Sequence, residues 1–204
     1  MPAPADHRAR LRVAREQSRA RIVAAATELV RGRAYAELSV EDVMREAGLA
    51  RTIFYRHFAD LADLIGQAAR EAGNELFDAE RALASLVGPG DQGIRIGEVI
   101  ATAVAAFERH GPLLRAIAEA AAADARLAGG LAAIRRRFDE LAAEALAGLP
   151  AFAGADPQPA AEVAHALNLM NEAYLLDAFG REPRVEPRRA QETLTAIWSA
   201  VLER

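Results

Sequence analysis

The side chains best placed to do chemistry fall within ten consecutive residues, Leu49 to Phe58. Arg51, Thr52, Tyr55, Arg56 and His57 bring together two guanidiniums, a hydroxyl, a phenol and an imidazole. Leu49, Ile53 or Phe54, and Phe58 sit at helical spacing and can pack inward. A face of this kind suits phosphate oxygens and base edges better than it suits a reaction. The rest of the chain offers no catalytic set. His7, His57, His110 and His165 are scattered, and none has a metal-ligand spacing. Asp139, Glu140 and Glu144 share a helical stretch with Arg135, Arg136 and Arg137 and read as a solvated ion-pair face. There is no Gly-rich phosphate loop, and the absence of Cys removes disulfides, thiolate metal sites and Cys nucleophiles. No catalytic residue, metal or cofactor is expected.

Two elements must position that face. Residues 50–57 read as a short helix. Before it, Ser39-Val40-Glu41-Asp42 is a capping-box start, and Val40, Val43, Met44 and Ala47 form one apolar stripe over 40–47. Gly48 supplies a left-handed exit of the sort that two steeply crossing helices require. This is a helix-turn-helix, with 50–57 as its recognition helix. The same spacing also fits two small helices of any all-α protein whose charges are merely solvated.

Charge favours the first reading. Residues 1–58 hold eleven Arg and seven acids, a net of +4, whereas the remainder holds fourteen and twenty-two, a net of −8, within a total of −4. A basic head therefore sits on an acidic body, which favours phosphate contact at one end only. Arg8, Arg10, Arg12, Arg15, Arg19 and Arg21 crowd the approach to the first strong helix. Residues 1–15 read either as a flexible basic arm that touches phosphate or as a solvated tail. The chain has no Lys, so every basic contact is a planar guanidinium fork.

The elements read as helical throughout. Ala is abundant, β-branched residues are sparse, and strand alternation never persists. A first helix over 16–32 carries Ile22, Ala25, Ala26, Leu29 and Val30 on one face. Asp60 caps a long helix to about Leu86, a rod roughly 40 Å long at ~1.5 Å per residue. Gly88-Pro89-Gly90 ends it. Further helices are predicted at 92–109, 112–123, 125–148, 159–180 and 188–202, punctuated by Gly111-Pro112, Gly129-Gly130 and the loop from Pro150 to Pro159. No apolar run reaches the ~18–20 residues of a membrane span, and Arg stands where a signal peptide needs an apolar stretch, so a cytoplasmic protein is expected. The fold class is all-α: a three-helix head joined by a long helix to a larger helical body. That arrangement suits a regulator whose body senses something.

Several of these features fall in order without gaps. The first helix, Ser39-Val40-Glu41-Asp42-Val43, Ala47-Gly48-Leu49, Phe54-Tyr55 and His57-Phe58 resemble the TetR family of repressors over roughly 16–65. In the body, Ala166-Leu167-Asn168-Leu169-Met170-Asn171-Glu172, Leu175, Phe179-Gly180 and Ala196-Ile197-Trp198 are similar to the ethionamide-resistance repressors of mycobacteria within that family. Three positions depart from the family pattern. Ala50 stands where a capping Ser is usual, Ile53 where Thr is usual, and Leu61 where a phosphate-binding Lys is common. Ile53 either touches a thymine methyl or faces the core.

The resemblance implies a dimeric regulator, expected to be a repressor, that binds a palindromic double-stranded DNA operator and is released by a small apolar effector. It divides the chain into a flexible basic arm (1–15), a helix-turn-helix DNA-binding domain (16–60) and a ligand-binding and dimerisation domain (61–204). Arg51, Thr52 and Arg56 are expected to approach bases, and Ser39, Tyr55 and His57 to hold phosphate. The last two helices are expected to pair into the homodimer's four-helix bundle. Ala164, Leu167, Tyr174 and Ala178 offer one face, and Leu194, Ile197 and Val201 another, although these residues fit an internal core equally well. In the body, Asn168 and Asn171 become hydrogen-bonding anchors of the effector, with Glu172 beside them and Phe107, Phe138 and Trp198 as walls. The two amides are one turn apart on an otherwise apolar helix, and buried amides demand partners; helix–helix hydrogen bonds within the dimer are the other way to supply them. The competing function is a helical small-molecule-binding adaptor whose head has weak or lost DNA binding.

Overall fold

A computed structural model describes residues 4–83, 92–149, 152, 158–182 and 184–202. The described residues form α-helices and no strand: α1 (Pro4–Gly32), α2 (Val40–Glu46), α3 (Arg51–Phe54), α4 (Leu61–Leu83), α5 (Gln92–Ala121), α6 (Ala125–Ala147), α7 (Gln158–Phe179) and α8 (Pro187–Leu202), with one 3-10 turn at Tyr35–Glu37. The Gly88-Pro89-Gly90 linker and most of the Pro150–Pro159 loop lie outside these residues.

Two apolar cores organise the molecule, and α5 serves both. In the head, Ile22, Ala26 and Val30 of α1 form a stripe at four-residue spacing. They meet Val43 and Met44 of α2, Phe54 and Phe58, and Leu64 and Ile65 of α4. Leu113, Ala116 and Ile117 of α5 complete this core, so the head is seated on the C-terminal half of a body helix. The N-terminal half of α5 supplies Ile96, Ile100, Val104 and Phe107 to the second core, with Leu146 of α6, Leu167, Leu175 and Phe179 of α7, and Leu194 and Trp198 of α8.

The helix boundaries differ from expectation in three places. The basic arm expected over 1–15 is helical from Pro4 onward. Proline is tolerated at a first helical position, and Arg12 and Glu16 form an i,i+4 pair at 3.7 Å. Gly111-Pro112, read as a break, lies inside the continuous helix α5. Proline has no N–H for the carbonyl of Glu108, and the Arg184 guanidinium donates to that oxygen instead at 2.9 Å. Gly111 is there for proximity: a Cβ at this position would lie 2.4 Å from the carbonyl oxygen of Phe179, where α5 and α7 cross. Gly129-Gly130 falls within α6, inside the helix expected over 125–148, and an added Cβ there would meet nothing within 4 Å. Finally, regular α-helix in the recognition segment covers only Arg51–Phe54; hydrogen-bonded turns carry the chain on through His57 to Phe58.

One buried side chain joins head to body. The Arg115 guanidinium on α5 donates to the carbonyl of Val30 at 2.7 Å and of Arg33 at 3.1 Å, at the C-terminal end of α1. Its Nε donates to the carbonyl of Gly180, just past α7, at 2.9 Å. Glu119, one turn on, pairs with Arg115 at 2.5 Å and accepts from the Tyr35 backbone N–H at 2.8 Å and from Arg181 at 3.1 Å. Helix ends leave carbonyls unsatisfied, and one cation here serves two such ends.

Candidate nucleic-acid interface and ligand cavity

The turn before α3 is built as its residues demand. Gly48 has φ +61°, a region L side chains rarely adopt. Arg21 of α1 donates to the carbonyl of Ala47 at 2.6 Å and so ties the turn to α1. Phe54 and Phe58 are fully buried and Ile53 and Leu49 pack against the same core. That burial leaves Arg51, Thr52, Tyr55 and Arg56 exposed on the outer side. Arg51 reaches the Tyr55 hydroxyl at 3.3 Å and lies 6.0 Å from its ring centroid, which lines the two up as one surface.

Ser39 and His57 are placed differently from those four. Ser39 is exposed, but its hydroxyl accepts from the N–H of Asp42 at 3.1 Å and donates to the Asp42 carboxylate at 2.6 Å, the capping box of α2. The Ser39 bond foremost, with Arg33, holds the Asp42 carboxyl below its ordinary range. His57 is half-buried against α1, with Nε2 2.9 Å from the Ser18 hydroxyl. Burial, and then Arg15, Arg19 and Arg56, depress its pKa below the usual 6.5, so the ring is neutral at pH 7. Several arginines of α1 also make contacts within the chain. Besides Arg21, Arg15 donates to the Arg56 carbonyl at 3.4 Å, and Arg19 lies over the Phe58 ring and bonds Gln67. Their i-to-tertiary pairing leaves no trace in local spacing.

The body encloses a cavity of about 710 Å³ between α4, α5, α6 and α7 that reaches Trp198 of α8. Its wall is largely aliphatic, with Ile100, Leu114, Ile117, Leu131 and Ile134 prominent. All six body residues singled out from the sequence line it: Phe107, Phe138, Asn168, Asn171, Glu172 and Trp198. The polar ones are held across helices within the chain. Asn168 Nδ2 donates to Asp139 at 2.9 Å, and Asn171 Oδ1 accepts from the Trp198 indole at 3.2 Å. Glu172 takes a bidentate contact from Arg135 at 2.6 and 2.7 Å, and Asp139 also meets His165 at 2.7 Å. Asn168 Oδ1 and Asn171 Nδ2 keep spare hydrogen-bonding capacity toward the cavity among the described residues. Arg135 and Asp139, read from the sequence as part of a solvated ion-pair face on one helix, instead pair across to α7 in the cavity wall, and His165 joins them, because the partners lie far away in sequence. Among the described residues no cluster of His, Cys, Asp and Glu could hold a metal, and no helix is long and apolar enough to cross a membrane.

Ala164, Leu167, Ala178 and Leu194, which suited either a dimer face or a core, are buried in the core of the single chain. Ile197, from the same expected set, is exposed on α8 beside Thr193 and Ala200, and the outer face of α7 carries Ala166, Leu169 and Ala173.

A helix-turn-helix head with an outward cationic face, carried on a helical body around an apolar cavity, defines a class: a helix-turn-helix transcriptional regulator. The family model of the bacterial regulatory proteins of the tetR family matches residues 22–68, and that of the C-terminal domain of the transcriptional regulator EthR matches residues 96–202. The chain belongs to the TetR family of bacterial regulatory proteins, with a body of the EthR type. It is 31% identical over 186 residues to the HTH-type transcriptional regulator EthR of Mycolicibacterium smegmatis, covering 88% of this chain and 83% of that protein. The EthR of Mycobacterium tuberculosis is 30% identical over 180 residues, covering 87% and 83%. The fold is also similar to that of a putative TetR-family regulator from Syntrophomonas wolfei, with a TM-score of 0.70 at 15% identity over 93% of this chain and 96% of the other. A TetR-like regulator from Rhodococcus sp. RHA1 gives 0.67 at 19% identity, covering 92% and 95%.

Proposed function

We propose that the chain is a repressor that binds a palindromic operator as a homodimer, in the cytoplasm and without catalysis, and leaves DNA when a small apolar effector fills the cavity. The observation that carries this reading is the pairing, in one chain, of an exposed Arg51-Thr52-Tyr55-Arg56 face with an aliphatic cavity that abuts the head. Arg51, Thr52 and Arg56 read bases, and Tyr55 holds phosphate. Ser39 and His57 serve mainly to build the reading surface. The DNA-binding domain runs to residue 60, with α1 continuous through residue 15, and residues 61–204 bind effector and partner. The outer faces of α7 and α8 supply the dimer surface, where Leu169 and Ile197 are among the exposed large apolar residues. Asn168 and Asn171 orient the effector through their spare amide atoms.

Two joints would carry the signal. α7, which holds Asn168, Asn171 and Glu172, ends at the Gly180 carbonyl, and Arg115 links that carbonyl to the end of α1. Arg126, in the cavity wall at the start of α6, reaches Asp60, the N-cap of α4, at 2.9 Å. A ligand that favours one arrangement of α6 and α7 thereby favours one setting of the head, and a few kcal/mol of such preference shifts operator affinity strongly. The test is selection of duplexes from a random pool by the full chain at fixed salt. A two-fold-symmetric site is expected. A folded, dimeric protein that enriches no sequence would contradict the reading and favour a ligand-binding adaptor.

A further inference from the structure

The charged groups of the cavity wall are answered by partners, with one exception. Arg126 is held by Asp60 and Asp124, and Arg135 by Glu172. Each wall carboxylate already has two donors: Asp139 from His165 and Asn168, and Glu172 from the two arms of Arg135. Arg19 bonds Gln67. Arg70 lines the cavity, yet it makes no hydrogen bond or ion pair with any described residue. It stands on α4, one turn past Gly66 and three residues before Gly73, and a Cβ added at Gly73 would meet nothing within 4 Å. Gly73, which also lines the cavity, therefore leaves open space three residues from Arg70.

From this juxtaposition we propose that the effector is an amphipathic anion, with an aliphatic body in the cavity and a carboxylate head paired with the Arg70 guanidinium. This rests on the reading of the cavity as the effector site. The planar fork of Arg matches a carboxylate bidentately, and such charge-assisted pairs are about twice as strong as neutral hydrogen bonds. A neutral chain would pass this cation without gaining from it. An amine would meet no carboxylate left without donors, and would approach Arg70 with like charge. The other polar atoms open to the ligand, on Asn168 and Asn171, are neutral and can orient a body but not select its charge. The cavity follows α6 from Arg126 to Ala142, about 24 Å at ~1.5 Å per residue, so a medium-length chain fits lengthwise.

Calorimetric titration of the full chain with dodecanoate, 1-dodecanol and dodecylamine, each below its aggregation concentration, tests this. Arg70→Gln and Gly73→Leu are run beside the wild type, with folding checked by circular dichroism. Arg70 is exposed on a helix and Gln has similar helix propensity, so the first variant keeps the fold. The wild type should bind the acid at least about tenfold more tightly than the alcohol. Arg70→Gln should abolish that preference, and Gly73→Leu should abolish binding of both. Acid and alcohol binding equally, a preference that survives Arg70→Gln, or tighter binding of the amine would overturn the anionic effector while leaving the cavity as the binding site. Failure of all three to bind saturably would overturn the proposal and the cavity reading together.

Discussion

Arg115 turns nearly its whole polar edge toward backbone carbonyls and one carboxylate, and it is the buried charged side chain of the described residues. A guanidinium in such a place is favourable only while every partner stays in register. Arg115→Met should therefore destabilise the fold by about 3–5 kcal/mol, because Glu119 and three carbonyls lose their cation; denaturant unfolding reads this directly. Arg51 makes the opposite case. It is exposed, and among the described residues its side chain hydrogen-bonds Tyr55, so Arg51→Ala should leave the unfolding midpoint unchanged. It should weaken operator binding by about 1–3 kcal/mol if it pairs with a base. The two arginines look alike in sequence. Arg115 sits in Leu113-Leu114-Arg115-Ala116-Ile117, and the carbonyls that bury it come from residues 85 and 65 positions away. No local pattern announces such a meeting.

At the scale of elements, the exposed face of α3 was legible because its burial has a period. Phe54 and Phe58 repeat at four residues, and once they are buried the outward set is decided. Gly48 was legible for a similar reason, since a tight turn between helices needs positive φ. Pro112 was not: the arginine that satisfies Glu108 arrives from the segment between α7 and α8, so a local breaker became an interior residue. The start of α3 lacks a capping side chain. Its N-cap is Ala50, whose side chain accepts no hydrogen bond from the helix start. Ala50→Ser should therefore stabilise the chain by about 1 kcal/mol, seen as a raised unfolding midpoint with an unchanged duplex preference. The cavity was legible as two amides on an apolar helix, but the Arg135, Asp139 and His165 partners were hidden by distance in sequence.

Across the whole molecule, head and body share α5 and the Arg115–Glu119 pair, so acid should loosen both at once. Burial pushes the Glu119 carboxyl up, but the bonds from Tyr35, Arg115 and Arg181 outweigh it and leave the pKa below the ordinary 4.5. A depressed carboxylate adds stability that is complete above its unfolded value and is lost as pH falls through the folded one. Urea midpoints followed from neutral pH down to about pH 3 should thus fall below 4.5 in the wild type. The fall should be shallower in Glu119→Gln. Asp124, drawn down to about 2 by Arg126, keeps that local ion pair through most of the range, and at the α6–α4 joint the Asp63 N–H and then Arg126 hold the Asp60 carboxyl below its ordinary range.

In the proposed function the cavity and the α3 face are two ends of one switch. The most direct measurement is the affinity of Gly73→Leu for the selected duplex, by fluorescence anisotropy beside the wild type. The new side chain enters open space, so it should fill the cavity without disturbing the fold. If filling the cavity resets the head, duplex affinity should fall by about tenfold or more while the melting temperature holds or rises. Unchanged duplex affinity in a variant that no longer binds dodecanoate would contradict it.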